Sequence, residues 1–129
     1  MAIRAAATGG EWSPTSISES LPDSLVKDHL LRADSVGSSG FAPETVARAL
    51  VVAARIVSDG FEPSLYAMNE IGGDTDTIGS IAGQIAGAAL GADALPLHLL
   101  DRVSHREDVR RIADEFARYG VITNARPWP

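Results

Sequence analysis

The chain has 129 residues, with 17 Asp and Glu against 11 Lys and Arg and a net charge of −6. That length suits one domain with a real core rather than two, and the acidic balance works against general nucleic-acid binding and against adhesion to anionic membranes. Cysteine is absent, which excludes disulfide staples and thiolate metal sites.

The N-terminal stretch MAIRAAATGGEWSPTSISES has no apolar run of signal-peptide length, and nothing reaches the ~18 uninterrupted apolar residues of a membrane span. The chain therefore reads as soluble and, by default, cytoplasmic. From Thr8 to about Ser20 the composition is Gly, Ser, Thr and Pro without a period that would bury a face, so this segment is expected to be irregular. Leu25, Val26, Leu30 and Leu31 allow a short helix between Leu21 and Ala33, with Pro22 near its first turn. DSVGSSG, residues 34–40, then breaks the chain.

The clearest predicted helix is FAPETVARALVVAARIVSDG. Val46, Ala49, Leu50, Ala53, Ile56 and Val57 recur at three- and four-residue spacing, while Glu44, Arg48 and Arg55 take the other side. Pro43 sits where a helix start tolerates it, and Gly60 where a helix commonly ends. EPSLYAMNEI repeats the signal, opened by Pro63 and closed by Gly72. After it comes TIGSIAGQIAGAALG, whose Ile78 to Leu90 stretch is too short for a bilayer and is interrupted by Gln84, as a buried helix would be. Gly79, Gly83 and Gly87 fall on one face of it, and their cost inside a helix predicts a closely packed flanking helix as compensation. ALPLHLLDRV and EDVRRIADEFARYG give two more helical pieces, the second carrying Val109, Ile112, Ala113 and Phe116 on one face. No segment alternates as a strand would, so the predicted fold class is all-α.

Chemistry concentrates in GGDTDT, residues 72–77. Asp and Thr are preferred at helix starts, where their oxygens accept from free backbone N–H groups and the dipole favours negative charge. One aspartate would serve that purpose. Two, at i and i+2 ahead of a helix beginning at about Thr77, repel each other unless a cation joins them, and with a threonine hydroxyl they offer the hard oxygens that Mg²⁺, Mn²⁺ or Ca²⁺ require. Spacing alone leaves capping and metal binding evenly matched.

The longer stretch SLYAMNEIGGDTDTIGSIAGQIAGAALG resembles the C-terminal signature of the ADP-ribosylglycohydrolase family, in which a helix, a G-G-D-T-D-T loop and a small-residue helix follow in this order. The likeness continues upstream through SSGFAPETVARALVVAARIVSDGFEPSLYA and downstream to ALPLHLLDRV, covering roughly residues 38–118, while residues 1–37 match only loosely. The expected organisation is an irregular segment at 1–37, with a short helix, ahead of a family-like helical domain at 38–129. The resemblance implies a helical bundle and a metal-dependent hydrolase whose complete members hold two divalent ions, usually Mg²⁺ or Mn²⁺. Carried over residue by residue, it makes Asp74 and Asp76 carboxylate ligands and Thr77 a hydroxyl ligand. Gly72 and Gly73 let the backbone turn tightly beside the ions, and Ser39, Gly40 and Phe41 resemble the turn that touches the adenosine part of ADP-ribose. An aromatic beside a glycine turn is also ordinary packing.

The family's other metal ligands and its acid/base carboxylate, a glutamate near the start and a threonine-aspartate-aspartate-threonine cluster, have no counterpart here. Glu44, Glu62, Asp101 and Glu115 stand singly, as solvated surface residues do, and the catalytic residues are unknown. His29, His98 and His105 lack ligand spacing, and neither a nucleophile elbow nor a phosphate-cradling glycine loop is present. The expected function is that of a family member supplying one side of a binuclear site for hydrolysis of an ADP-ribosyl glycosidic bond, inactive alone and holding at most one ion. The alternative is a truncated, non-catalytic module that binds a partner or an ADP-ribose-like ligand. Expected partners are ADP-ribose or an ADP-ribosylated substrate and a complementary N-terminal half or a second copy of the chain, with no nucleic acid and no membrane.

Overall fold

The structure is a computed structural model that describes residues 13–32 and 39–123, with side chains as far as Tyr119. Every regular element among these residues is helical, as an all-α fold requires. The chain divides into two compact units, Met1–Leu95 and Pro96–Pro129. No helix among the described residues is long and apolar enough to cross a membrane.

The first unit begins with a helix where irregular chain was expected. Helix α1 spans Pro14–Ser20. Ser13 caps it by accepting from the Ser16 backbone N–H at 3.1 Å, and the Ser16 hydroxyl accepts in return from the Ser13 backbone N–H at 3.1 Å. This reciprocal cap satisfies two otherwise orphaned donors with Ser in the place usually taken by Glu or Gln. The seven-residue helix has Ile17 and Ser18 as its buried residues, too few to show a period. Residues 8–12 of the same expected irregular stretch lie outside the described residues.

Helix α2 covers Leu25–Leu30 with Ser24 as its N-cap, so Pro22 precedes the cap and does not enter the first turn. Leu30 anchors the helix at 1% exposure, whereas Leu25 and Leu31 stay in solvent. Of the predicted break at 34–40, residues 34–38 lie outside the described residues and Ser39 and Gly40 form a bend.

Helix α3, Ala42–Asp59, is the centre of the unit. Pro43 stands in its first turn, and Gly60 ends it at φ 93° while donating its N–H to the Ile56 carbonyl at 2.9 Å. The expected two-sided character is too simple. Residues 45 and 47–54 are all buried, Arg48 included, and of the three charged residues assigned to the outer side only Arg55 is exposed. The helix is covered around most of its girth because α1, α2 and two later helices all pack on it.

Those two are α4, Phe61–Ile71, and α5, Thr75–Leu90. Helix α4 starts two residues before Pro63, with Gly60 serving as the end of one helix and the start of the next; the Ser64 hydroxyl donates to the Gly60 carbonyl at 2.8 Å. Helix α5 makes the most extensive contact with α3. Its buried row is Ile78, Ala82, Ile85 and Ala86, and these meet a helix whose own Ala47, Ala49 and Ala53 are fully enclosed.

The buried row of α5 therefore carries Ala82 and Ala86, and the expected glycine seam is corrected at Gly83 and Gly87. The glycine row lies one residue, about 100°, around the helix from the row that Ile78 begins. A Cβ on Gly79 would lie 3.3 Å from the Met68 Cε of α4, but one on Gly83 or Gly87 would meet nothing within 4 Å among the described residues.

In the second unit, α6 is the short turn of helix Leu97–Leu100 and α7 spans Arg106–Thr123. Arg106 pairs with Asp101 at 2.6 Å, and Arg111 reaches both Glu115 at 3.1 Å and Asp108 at 3.7 Å. The predicted apolar row of α7 is a row, yet Val109, Ile112 and Phe116 are all exposed, and Tyr119 extends it.

Because Gly83 sits in open space with helical neighbours on both sides, Gly83→Ala should stabilise by about 0.5–1 kcal/mol through a less flexible unfolded chain. Gly79→Ala should gain less, since the Met68 tip must move aside. Thermal melts of both variants check this; a destabilised Gly83→Ala would restore the glycine seam.

Candidate functional site

Helix α4 stops because Gly72 and Gly73 both take positive φ, 75° and 84°. At Gly72 ψ is −163°, a region that residues with a Cβ avoid. The two glycines reverse the chain within one turn and deliver Asp74 to the N-cap position of α5. The helix itself begins at Thr75, two residues earlier than expected, so Asp76 and Thr77 belong to its first turn and Asp74 alone stands outside it.

Asp74 occupies a capping position without capping: its side chain makes no hydrogen bond to the free N–H groups of α5. Its carboxyl instead meets that of Asp76. The Thr77 backbone N–H, 2.9 Å from Asp76 Oδ1, together with the Asp74 side chain and Asp76's own backbone, holds the Asp76 carboxyl below the usual aspartate range. Thr77 follows Asp74 by three residues, which places both on the same side of the first turn. Asp76 and Thr77 are exposed and Asp74 is half-buried.

The second sequence-predicted group arrives from the start of α3. Gly40 lies against the acidic loop: a Cβ built on it would be 3.9 Å from Asp74 Oδ2. The turn at Ser39 is held from within. The Ser39 hydroxyl hydrogen-bonds Glu44, the Phe41 N–H donates to Ser39 Oγ at 3.3 Å, and the Thr45 hydroxyl donates to the Ser39 carbonyl at 2.9 Å. Glu44, expected on the solvated face, is half-buried and serves this turn. Phe41, at the N-cap of α3, is 54% exposed and makes an edge contact with His29 of α2, ring centroids 6.1 Å apart at 68°.

The fold thus brings Gly40 against Asp74, and Asp74 against Asp76, whose carboxylate accepts from the Thr77 N–H. Sequence reasoning missed three residues. Glu44 and Thr45 could have been suspected from their place in the first turn of α3, whereas nothing local marks His29, which reaches Phe41 only because α2 docks on α3.

Paired carboxylates beside a hydroxyl suit a single hard divalent cation. They do not suit two, and among the described residues no group of three or more His, Cys, Asp or Glu could hold a metal ion.

An all-helical chain with a double-glycine reversal into an aspartate-rich helix start has counterparts among known proteins. The ADP-ribosylglycohydrolase family model matches residues 2–125, and the chain belongs to that family. The match is wider than the residues that carry the motifs. The family is generally metal-dependent, and its substrates are ADP-ribosylated proteins. Two curated relatives are each named ADP-ribosylarginine hydrolase Tri1. The protein from Serratia proteamaculans (strain 568) is 28% identical over 82 residues, 64% of this chain and 22% of its own. The one from Pseudomonas putida (strain GB-1) is 27% identical over 82 residues, with the same 64% and 22% coverage. The chain thus spans about a fifth of the length of the curated relatives it matches, 22% in each case. No solved structure matches it.

Backbone conformation at the reversal yields a test. Gly72→Ala should cost about 1–3 kcal/mol, although no atom of the described residues lies within 4 Å of the added Cβ. The opposite signs expected for alanine at 72 and at 83 separate a backbone effect from a packing effect. A melting temperature unchanged by Gly72→Ala would refute the strained reversal.

Proposed function

We propose that this chain supplies one side of a metal-dependent site that hydrolyses an ADP-ribosyl glycosidic bond. The observation that carries the reading is Asp74, which stands at a helix N-cap, leaves the backbone donors alone and turns its carboxylate toward Asp76 beside Gly40. An aspartate serving only the helix would cap it. Mutual repulsion of two carboxylates is relieved by a shared proton or by a cation, and a hard divalent ion such as Mg²⁺ or Mn²⁺ is the occupant that family membership supports.

Asp74 and Asp76 would hold that ion, with the Thr77 hydroxyl as a third oxygen. When bound, it supplies orientation of the ribose hydroxyls and activation of a water. Gly72 and Gly73 keep both carboxylates at one edge of the fold. Ser39, Gly40 and Phe41 form the wall that meets the adenosine part of ADP-ribose, with Ser39 acting mainly as a brace because its hydroxyl is committed to Glu44. Hydrolysis of this class adds water oxygen to the anomeric carbon as the bond to the leaving group breaks, and the water's proton passes to that group. The acid/base group and the ligands for a second ion would come from beyond these residues, in the remainder of a complete family domain. The relatives' names make ADP-ribosylarginine the first substrate to test.

If the pair are ligands, Asp74→Asn combined with Asp76→Asn should abolish Mn²⁺ binding in calorimetric titration while leaving the melting temperature equal or higher. Caps would behave oppositely, losing about 1 kcal/mol of stability. Unchanged Mn²⁺ binding would remove the ligand assignment.

Activity gives a second check. The chain alone, with Mg²⁺ or Mn²⁺, should release no measurable ADP-ribose, because loss of a general base alone costs ~10²- to 10⁴-fold. Addition of the separately expressed N-terminal part of a relative should produce release that Asp74→Ala abolishes. Robust turnover by the chain alone would show that it holds its own acid/base machinery. Mn²⁺ binding without turnover in any mixture would favour a non-catalytic module that binds an ADP-ribose-like ligand.

A further inference from the structure

We propose that His29 is a positioning residue for Phe41 and that the two rings together present a preformed stacking wall to the adenine end of a nucleotide ligand. This inference rests on the ADP-ribose reading above. It begins with an exposed aromatic ring: Phe41 is 54% accessible and precedes α3, so no turn of helix fixes its direction. The backbone around it is held firmly, its N–H by Ser39 Oγ at 3.3 Å and the Ser39 carbonyl by Thr45 at 2.9 Å. The ring itself has a lateral contact with His29, at 6.1 Å between centroids and 68° between planes. That is an edge-on arrangement, the kind aromatic pairs prefer and one that resists rotation of either ring.

The placement of His29 is itself fixed. It adjoins Leu30, which is 1% exposed in a helix that packs on α3, so the backbone that carries the half-buried imidazole is anchored by core packing. Next to Phe41 comes Gly40, whose Cβ position lies 3.9 Å from Asp74 Oδ2. An open aromatic ring beside a polar, acidic loop is poorly placed as core and well placed to take a flat base, since every nucleobase has a face that stacks on an aromatic side chain. Holding the ring in one orientation before the ligand arrives removes an ordering cost from binding.

Calorimetry of the full chain with ADP-ribose, AMP and ribose 5-phosphate tests this, alongside NMR of the labelled Phe41 ring. His29→Ala should weaken the two adenine-containing ligands about three- to tenfold, leave ribose 5-phosphate unaffected and move the Phe41 ring resonances. His29→Phe, which keeps an edge for the contact, should restore affinity; a merely structural loss would weaken all three ligands together. Full adenine-ligand affinity in His29→Ala, or unmoved Phe41 resonances, would overturn the positioning role alone. Failure of the wild-type chain to bind ADP-ribose or AMP would overturn the ligand reading, and this inference with it.

Discussion

The contact between α3 and α5 is the constraint on which the rest of the first unit depends. Small residues are enclosed on both helices, Ala47, Ala49 and Ala53 on one and Ala82 and Ala86 on the other. Ile56 and Ile78 are likewise almost wholly buried. Alanine keeps full helix propensity where glycine would forfeit about 1 kcal/mol, so small enclosed side chains let these helices pack without weakening either.

Close approach of these helices has a consequence at one end. The starts of α3 and α5 lie side by side, as the distance from Gly40 to Asp74 records. Helix N-termini carry unsatisfied N–H groups and partial positive charge, so two of them converging favour anions between them. Asp76 gains from this directly through the Thr77 N–H. Asp74 does not cap, and the reason lies in the chain before it: the Gly72–Gly73 reversal fixes its approach, with φ −79° and ψ 54° at Asp74 itself. A backbone conformation that glycine adopts without strain thus sets where the chain delivers Asp74.

The second unit follows a different logic. Its long helix α7 is laced along its polar side by Arg111 with Asp108 and Glu115, and tied to α6 by Arg106 with Asp101. Such exposed pairs contribute little each, while Val109, Ile112, Phe116 and Tyr119 remain in solvent. Amphipathic patterning specified a helix here, and a helix formed.

From residues alone the chain was legible as all-α, with α3 and α5 placed within a few residues and GGDTDT picked out as the chemical centre, because apolar periodicity and glycine punctuation are local signals. Family membership was legible for the same reason, in contiguous motifs. Tertiary structure alone decided which face of α5 is buried, since rows of small residues one position apart look alike until packing encloses Ala82 and Ala86 and leaves Gly83 and Gly87 with no neighbour within 4 Å among the described residues. Only the fold could bring Glu44 to Ser39, His29 to Phe41 and Gly40 to Asp74. These are contacts between segments that local pattern treats as independent, and their geometry exists only once α2, α3 and α5 have packed.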